Sequence, residues 1–133
     1  SEKVEHLLPL LTAFVEERVL PLEPQLAAHC ASGAPWQPFA PLEGLKREAR
    51  ARGLWNLFLP TDTAAIVRAK LGPHSEGLDL GPGLTNLEYA VLSEATGRSP
   101  SLAPEACNCS APDTGNMELL ARYGSPAQCR EWP

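Results

Sequence analysis

No apolar run in this 133-residue chain can cross a bilayer. Its longest runs, such as LLPLL at 7–11, fall far short of the roughly 20 residues a spanning helix takes. Cysteine is sparse and its spacing is unhelpful to a metal. Cys107 and Cys109 form C-x-C, which lacks the C-x-x-C spacing of zinc knuckles and thioredoxin-like sites, and Cys30 and Cys129 stand apart. Four cysteines are also too few for a disulfide scaffold of this length, so the expectation is four reduced thiols in an intracellular protein. The alternative is a metal site built from Cys107, Cys109 and one of His6, His29 or His74. Basic charge is short as well: Lys and Arg number 11 against 16 Asp and Glu, a net charge of −5. That balance argues against nucleic acid and anionic membrane surfaces as partners. The chain begins at Ser1 with no initiator Met and no charged leader, so the expectation is a processed or excised piece whose address label is lost. Alternating strand patterns, internal repeats and a complete catalytic constellation are all missing.

What is present is helical periodicity. A hydrophobic fraction of 44% supports a folded core, and 14 prolines and 10 glycines gather in particular connections. Val4, Leu7, Leu8, Leu11, Phe14 and Val15 recur every three or four residues and predict a first helix. Pro9 is expected to kink it or to mark its true start. Pro21 and Pro24 end or bend the run, while Leu22 and Leu26 continue its apolar seam. After the linker ASGAPWQP (31–38), a second helix runs from Pro38 or Pro41 to Arg52. Leu42, Leu45 and Ala49 form its buried stripe, and Gly53 its C-terminal cap. LWNLFLP (54–60) is dense enough in apolar residues to pack into the core. Residues 61–82 are least legible: TAAIVRAKLG could form a short helix, and GPHSEGLDLGPG reads as a loop.

Thr85 and Glu88 set a capping box, opening a helix expected to turn Leu87, Ala90, Val91 and Ala95 inward and to stop at Gly97. The next helix starts between Asp113 and Gly115, with Met117, Leu120 and Tyr123 facing inward and Glu118 paired to Arg122 four residues on. Gly124 caps it. Ser125, Pro126 and Gln128 set a second capping box, whose helix is expected to stop abruptly at Trp132-Pro133. The fold class is therefore all-α: a bundle of four to five helices with long loops.

The most informative stretch is NCSAPDTGNMELLARYGSPAQ (108–128), where a polar loop runs straight into a helix. With FVEERVLPLEP (14–24), EARARGLWNLFLP (48–60) and GLTNLEYAVLSEATGRS (83–99), it resembles the N-terminal α-helical domain of the acyl-CoA dehydrogenase family. The nearest likeness is to the branch of members ten and eleven, which carries a kinase module ahead of the dehydrogenase. Three departures stand out. Residues 61–82 do not follow the family's shorter connection and read as an inserted or alternative segment. The flavin-contacting β-domain segment, and the later helical domain that supplies the family's catalytic carboxylate, have no counterpart.

The resemblance implies a parent that is an FAD-dependent oxidoreductase of fatty-acid β-oxidation, α,β-dehydrogenating long-chain or 4-hydroxylated acyl-CoA thioesters. It implies a mitochondrial location, with the peroxisome as the alternative. The partners it implies are the acyl-CoA substrate, the remaining dehydrogenase domains and a homo-oligomer. Within this chain it points to Ser110, Ala111, Asp113, Thr114 and Met117 as lining the acyl pocket, with no catalytic residue and no main flavin-binding segment. Small side chains at Ser110 and Ala111 leave room for an alkyl chain, Met117 adapts to its shape, and Asp113 and Thr114 orient a polar substituent.

Each residue also has a structural reading: Asp113 as a helix cap, Met117 as core, Ser110 as an ordinary turn. Glu88 and Glu118 are explained by capping and surface pairing. Lys46, Arg47, Arg50 and Arg52 read as a solvated helix face, with a phosphate of coenzyme A as the alternative. A non-catalytic interaction module, pairing with full-length subunits, is the rival to the enzyme-domain reading.

Overall fold

A computed structural model describes residues 1–131; the expected stop at Trp132-Pro133 lies outside the described residues. Among the described residues there are eight α-helical segments, in the order α1 Glu2–Phe14, α2 Glu23–Cys30, α3 Ala40–Ala51, α4 Thr61–Leu71, α5 Asn86–Thr96, α6 Ala103–Ala106, α7 Asp113–Tyr123 and α8 Pro126–Glu131. There is no β-strand among the described residues, only an isolated parallel bridge between Pro60 and Leu84. The all-α class holds. The helix number exceeds the four to five expected, because the sequence left α2, α4 and the one-turn α6 uncounted.

Ser1 caps α1 and fixes its start at Glu2, so Pro9 is not the helix beginning but an interior residue on an exposed side. Leu7, Leu11 and Phe14 are its buried stripe. The irregularity falls later: Val15–Val19 widens into a π turn, which buries both valines before a 3₁₀ turn at Leu20–Leu22 leads into α2. At the end of α3 the amides of Gly53 and Leu54 return to the carbonyls of Arg50 (3.0 Å) and Ala49 (2.8 Å). This reciprocal pair requires the left-handed φ of +70° that Gly53 supplies. It turns the chain sharply, so Leu54 and Leu57 enter the core fully buried.

Two apolar cores result. The larger gathers α1, α3, α5 and α6 around Leu11, Phe14, Leu54, Leu92 and Leu102. The smaller joins Phe58 and Leu59 to α4, α7 and α8 through Ala64, Val67, Leu71, Ala121 and Cys129. Tyr89 and Cys109 pack against both and form the seam. Each large apolar side chain buried in them contributes about 1.5–3 kcal/mol of transfer free energy, before ordering costs.

The short helix to which TAAIVRAKLG is open forms over residues 61–71, with Thr63, Ala64, Val67 and Leu71 buried, and a 3₁₀ turn at Gly72–Ser75 leads into the loop. Three expectations are corrected here. On α5 the buried face is Leu92 and Thr96, with Tyr89 and Ala95 half-buried. Leu87 (80% exposed), Ala90 and Val91 point outward. Periodicity chose the wrong stripe because Thr96 looks polar; its hydroxyl donates to Ser93 O (2.8 Å) and so becomes compatible with burial. Tyr123 is exposed, because α7 turns Met117, Leu120 and Ala121 toward α4. Arg122 pairs across to Asp62 (3.6 Å) and Thr63 Oγ1 (3.2 Å) instead of to Glu118, since α4 packs beside α7 and brings its first turn within reach.

Candidate functional site: the loop entering α7 and its grooves

Two asparagines organise the loop. Asn56 and Asn108 both adopt left-handed φ, +55° and +53°, a conformation that short polar side chains tolerate better than others. Asn108 Nδ2 donates to Asn56 Oδ1 at 2.7 Å, and the Asn56 amide donates to Cys107 O at 3.0 Å. Asn56 Nδ2 in turn donates to Asp79 O at 2.6 Å, tying the 77–83 loop to the same point. Gly81 sits so close that a Cβ there would lie 2.2 Å from Asn56 O. Neither asparagine was singled out from the sequence. The signal available was a polar residue inside the apolar LWNLFLP run.

The five candidate residues fall in two groups. Thr114 and Met117, three apart and therefore on one side of α7, each line a groove. Thr114 shares a groove of about 340 Å3 with Phe58, Tyr89, Cys109 and Glu118. Met117 shares a second, of about 320 Å3, with Arg50, Trp55, Asn108 and Asp79. It also borders a small apolar cavity of about 30 Å3 walled by Val67, Leu78, Leu80 and Leu120. Asn108 Nδ2 lies 3.4 Å from Met117 Sδ. Ser110 is half-buried with its hydroxyl 3.4 Å from Ala111 O, Ala111 and Asp113 are exposed, and these three line neither groove. Asp113 occupies the first turn of α7 without bonding a free amide through its side chain, so it is not the cap.

The charges around this loop are mostly committed. Burial pulls the Lys46 pKa down, but the Glu105 carboxylate, 2.8 Å away, and the fields of Glu43 and Asp113 hold it above its usual value. Glu48 is opposed by burial yet held below the carboxylate range by Arg18 and Arg52, both in contact with it. Arg50 differs. Its guanidinium lies 3.9 Å over the Trp55 ring and meets no carboxylate among the described residues. Burial pushes the Cys109 and Cys107 thiols up, so both are protonated at neutral pH. Tyr89 is likewise raised, by burial first and then by Cys109. Such thiols are poor metal ligands, and among the described residues no three His, Cys, Asp or Glu side chains converge. Glu88 belongs to the observed capping box with Thr85, and Ser125 with Gln128 forms the second, as their spacing predicts.

An all-helical body that holds a polar loop beside open grooves is the class of structure; sequence comparison shows what it is similar to. Over 132 residues, 99% of the chain, it is 48% identical to acyl-CoA dehydrogenase family member 10 of Mus musculus. It is 41% identical, over 99% of its length, to a probable acyl-CoA dehydrogenase of Arabidopsis thaliana. A probable acyl-CoA dehydrogenase of Mycobacterium tuberculosis is 41% identical over 92% of the chain. The chain spans 11%, 17% and 26% of these relatives respectively. No protein-family model matches it. Along nearly its whole length, then, the chain is similar to a segment of proteins named as acyl-CoA dehydrogenases.

Proposed function

We propose that this chain is the helical wall of the acyl pocket in an FAD-dependent acyl-CoA dehydrogenase, with Thr114 and Met117 in its grooves and Ser110, Ala111 and Asp113 beside them at the entry to α7. In this reading the parent α,β-dehydrogenates long-chain or 4-hydroxy acyl-CoA in mitochondrial fatty-acid β-oxidation and assembles as a homo-oligomer. The observation that carries it is the position of the 110–117 stretch. It is half-buried or exposed beside open grooves, not sealed in either core, and homology covers it.

The residues present do not fit the flavin. The two grooves at this loop, about 320 and 340 Å3, are at the small end for ligand sites, and among the described residues Arg50 is the lone cation lining either. A dinucleotide asks for a longer slot with several donors to its pyrophosphate. The reading therefore assigns flavin binding and bond chemistry to the rest of the parent, and to this chain the shaping of the pocket.

Two measurements test it. The purified 133-residue chain is expected to show no flavin absorbance and no oxidation of acyl-CoA; a yellow protein with turnover overturns the non-catalytic role. In the full-length parent, Thr114→Trp and Met117→Trp are expected to raise KM at least tenfold for long-chain acyl-CoA with flavin content unchanged. An unaltered KM removes the pocket assignment. The second reading, a module that pairs with full-length subunits, is favoured by Leu87, Leu119 and Tyr123, exposed at 80%, 58% and 80%. Co-purification with an intact dehydrogenase tests that reading, and its absence under native conditions excludes it.

A further inference from the structure

One groove has a chemistry that an acyl wall does not call for. Lys46 is paired to Glu105 and Arg52, just past α3, to Glu48; Arg47 and Arg50 meet no carboxylate among the described residues, and of these two Arg50 is held by the face of Trp55. A guanidinium stacked on an indole keeps its N–H edge for a planar anion, since the ring occupies a face and not the donors. The groove it lines is also walled by Trp55, Asn108 and Met117. Met117, Leu78 and Leu80 wall an apolar cavity as well, together with Val67 and Leu120. At about 30 Å3, with apolar walls, that cavity suits a terminal methyl better than a water, which wants two or more polar partners. Met117 is a flexible side chain at the junction, and Asn108 Nδ2 rests 3.4 Å from its sulfur. Asp79 also lines the groove, its Oδ1 accepting the Gly81 amide at 3.2 Å, and its charge opposes any anion brought to Arg50.

The geometry points to a binding site for an amphipathic anion of medium chain length, its carboxylate on Arg50 and its alkyl tail laid past Met117 toward the Val67–Leu80 cavity. The site draws on residues 67–80, the segment whose role the sequence left open, and it does not rest on the dehydrogenase reading. A cation, an aromatic face and an apolar end in one groove of about 320 Å3 match a free fatty carboxylate, whose polar and apolar ends need opposite environments.

Met117 is the sole methionine of the chain, so its ε-methyl gives a single NMR reporter at the junction. Decanoate, titrated below its micelle threshold into the methyl-labelled 133-residue chain, is expected to shift that signal saturably. Arg50→Gln should weaken decanoate about tenfold, as loss of a charge-assisted bond does. Arg50→Lys should weaken it by no more than about threefold, since the charge stays. Asp79→Asn, which can still accept from Gly81, should tighten decanoate, and 1-decanol should ignore all three changes. A silent Met117 signal overturns the site, as does an Arg50→Gln loss that is equal for decanoate and decanol. Decanoyl-CoA separates this from the pocket reading. If it shifts Met117 regardless of Arg50 while decanoate does not, the acyl wall stands and this site falls. Decanoate binding with decanoyl-CoA silent supports the site, since the wall reading leaves the rest of the acyl-CoA pocket to the parent.

Discussion

Asn108 donates its side-chain amide to the Oδ1 of Asn56, 2.7 Å away and 52 positions earlier in the chain, with both residues in the left-handed backbone region. This one bond joins the turn after α3 to the loop before α7, and through Asn56 it also holds the 77–83 loop. The grooves at Met117 and Thr114 flank that junction, so its rigidity sets their shape.

Asn108→Ala removes the donor to buried Asn56 and places a Cβ-bearing residue without a local polar partner at φ +53°. The expected loss of unfolding free energy is about 2–3 kcal/mol, from one unpaired buried acceptor plus the left-handed penalty. Asn108→Gly escapes the second contribution and should be milder by about 1 kcal/mol. Denaturant titration of the two variants checks the difference; equal losses would show that φ carries no strain here.

Gly81 and Gly77 offer a matched pair, since both have positive φ, +69° and +86°, but only Gly81 is crowded. Gly81→Ala would press its Cβ to 2.2 Å from the Asn56 carbonyl and is expected to cost more than about 2 kcal/mol. Gly77→Ala meets nothing within 4 Å and should cost about 1 kcal/mol, the backbone penalty alone. Thermal melts that rank the two the other way would mean that the 77–83 loop does not rest on Asn56.

Lys70 of α4 donates to the carbonyls of Ala121 (2.6 Å) and Gly124 (2.8 Å), closing the C-terminal end of α7 from a neighbouring helix. Lys70→Met keeps the apolar stem and deletes the donor. A loss of about 1–2 kcal/mol is expected, with faster amide exchange at Gly124, whose own bond to Leu120 O ends the helix. Unchanged exchange there would assign the end of α7 to its own backbone.

Glu88 is held down to about 2 by the hydroxyl of Ser1 and by the amide and hydroxyl of Thr85. Its folded pKa is depressed, so its stabilising contribution is present above the unfolded carboxylate pKa and is lost as pH falls from about 4.3 toward 2. Glu88→Gln should lower Tm in the neutral region and leave the acid end, where Glu88 is protonated anyway, little changed, so the plot of Tm against pH flattens between about 4.3 and 2. Identical acid limbs would show that the capping box does not sense protonation.

The sequence by itself determined the all-α class, both capping boxes, the Gly53 turn and the burial of residues 54–59. These depend on bonds between residues a few positions apart, or on apolar density that only a core can accept. It also marked the loop before α7 as distinctive, because Pro, Gly and Asp at a helix start have local meanings. Tertiary structure alone decided the rest. Which stripe of α5 is buried depended on α1 packing against it and on Thr96 finding a partner within its own helix. Whether residues 61–71 formed a core helix depended on α7 and α8, distant in sequence, supplying its apolar cover. The joining of Asn56 to Asn108, and the separation of Arg50 from its paired neighbours, are likewise long-range facts. Local chemistry writes helix ends into the chain, but which side faces inward, and what a groove brings together, is set by surfaces that meet only after folding.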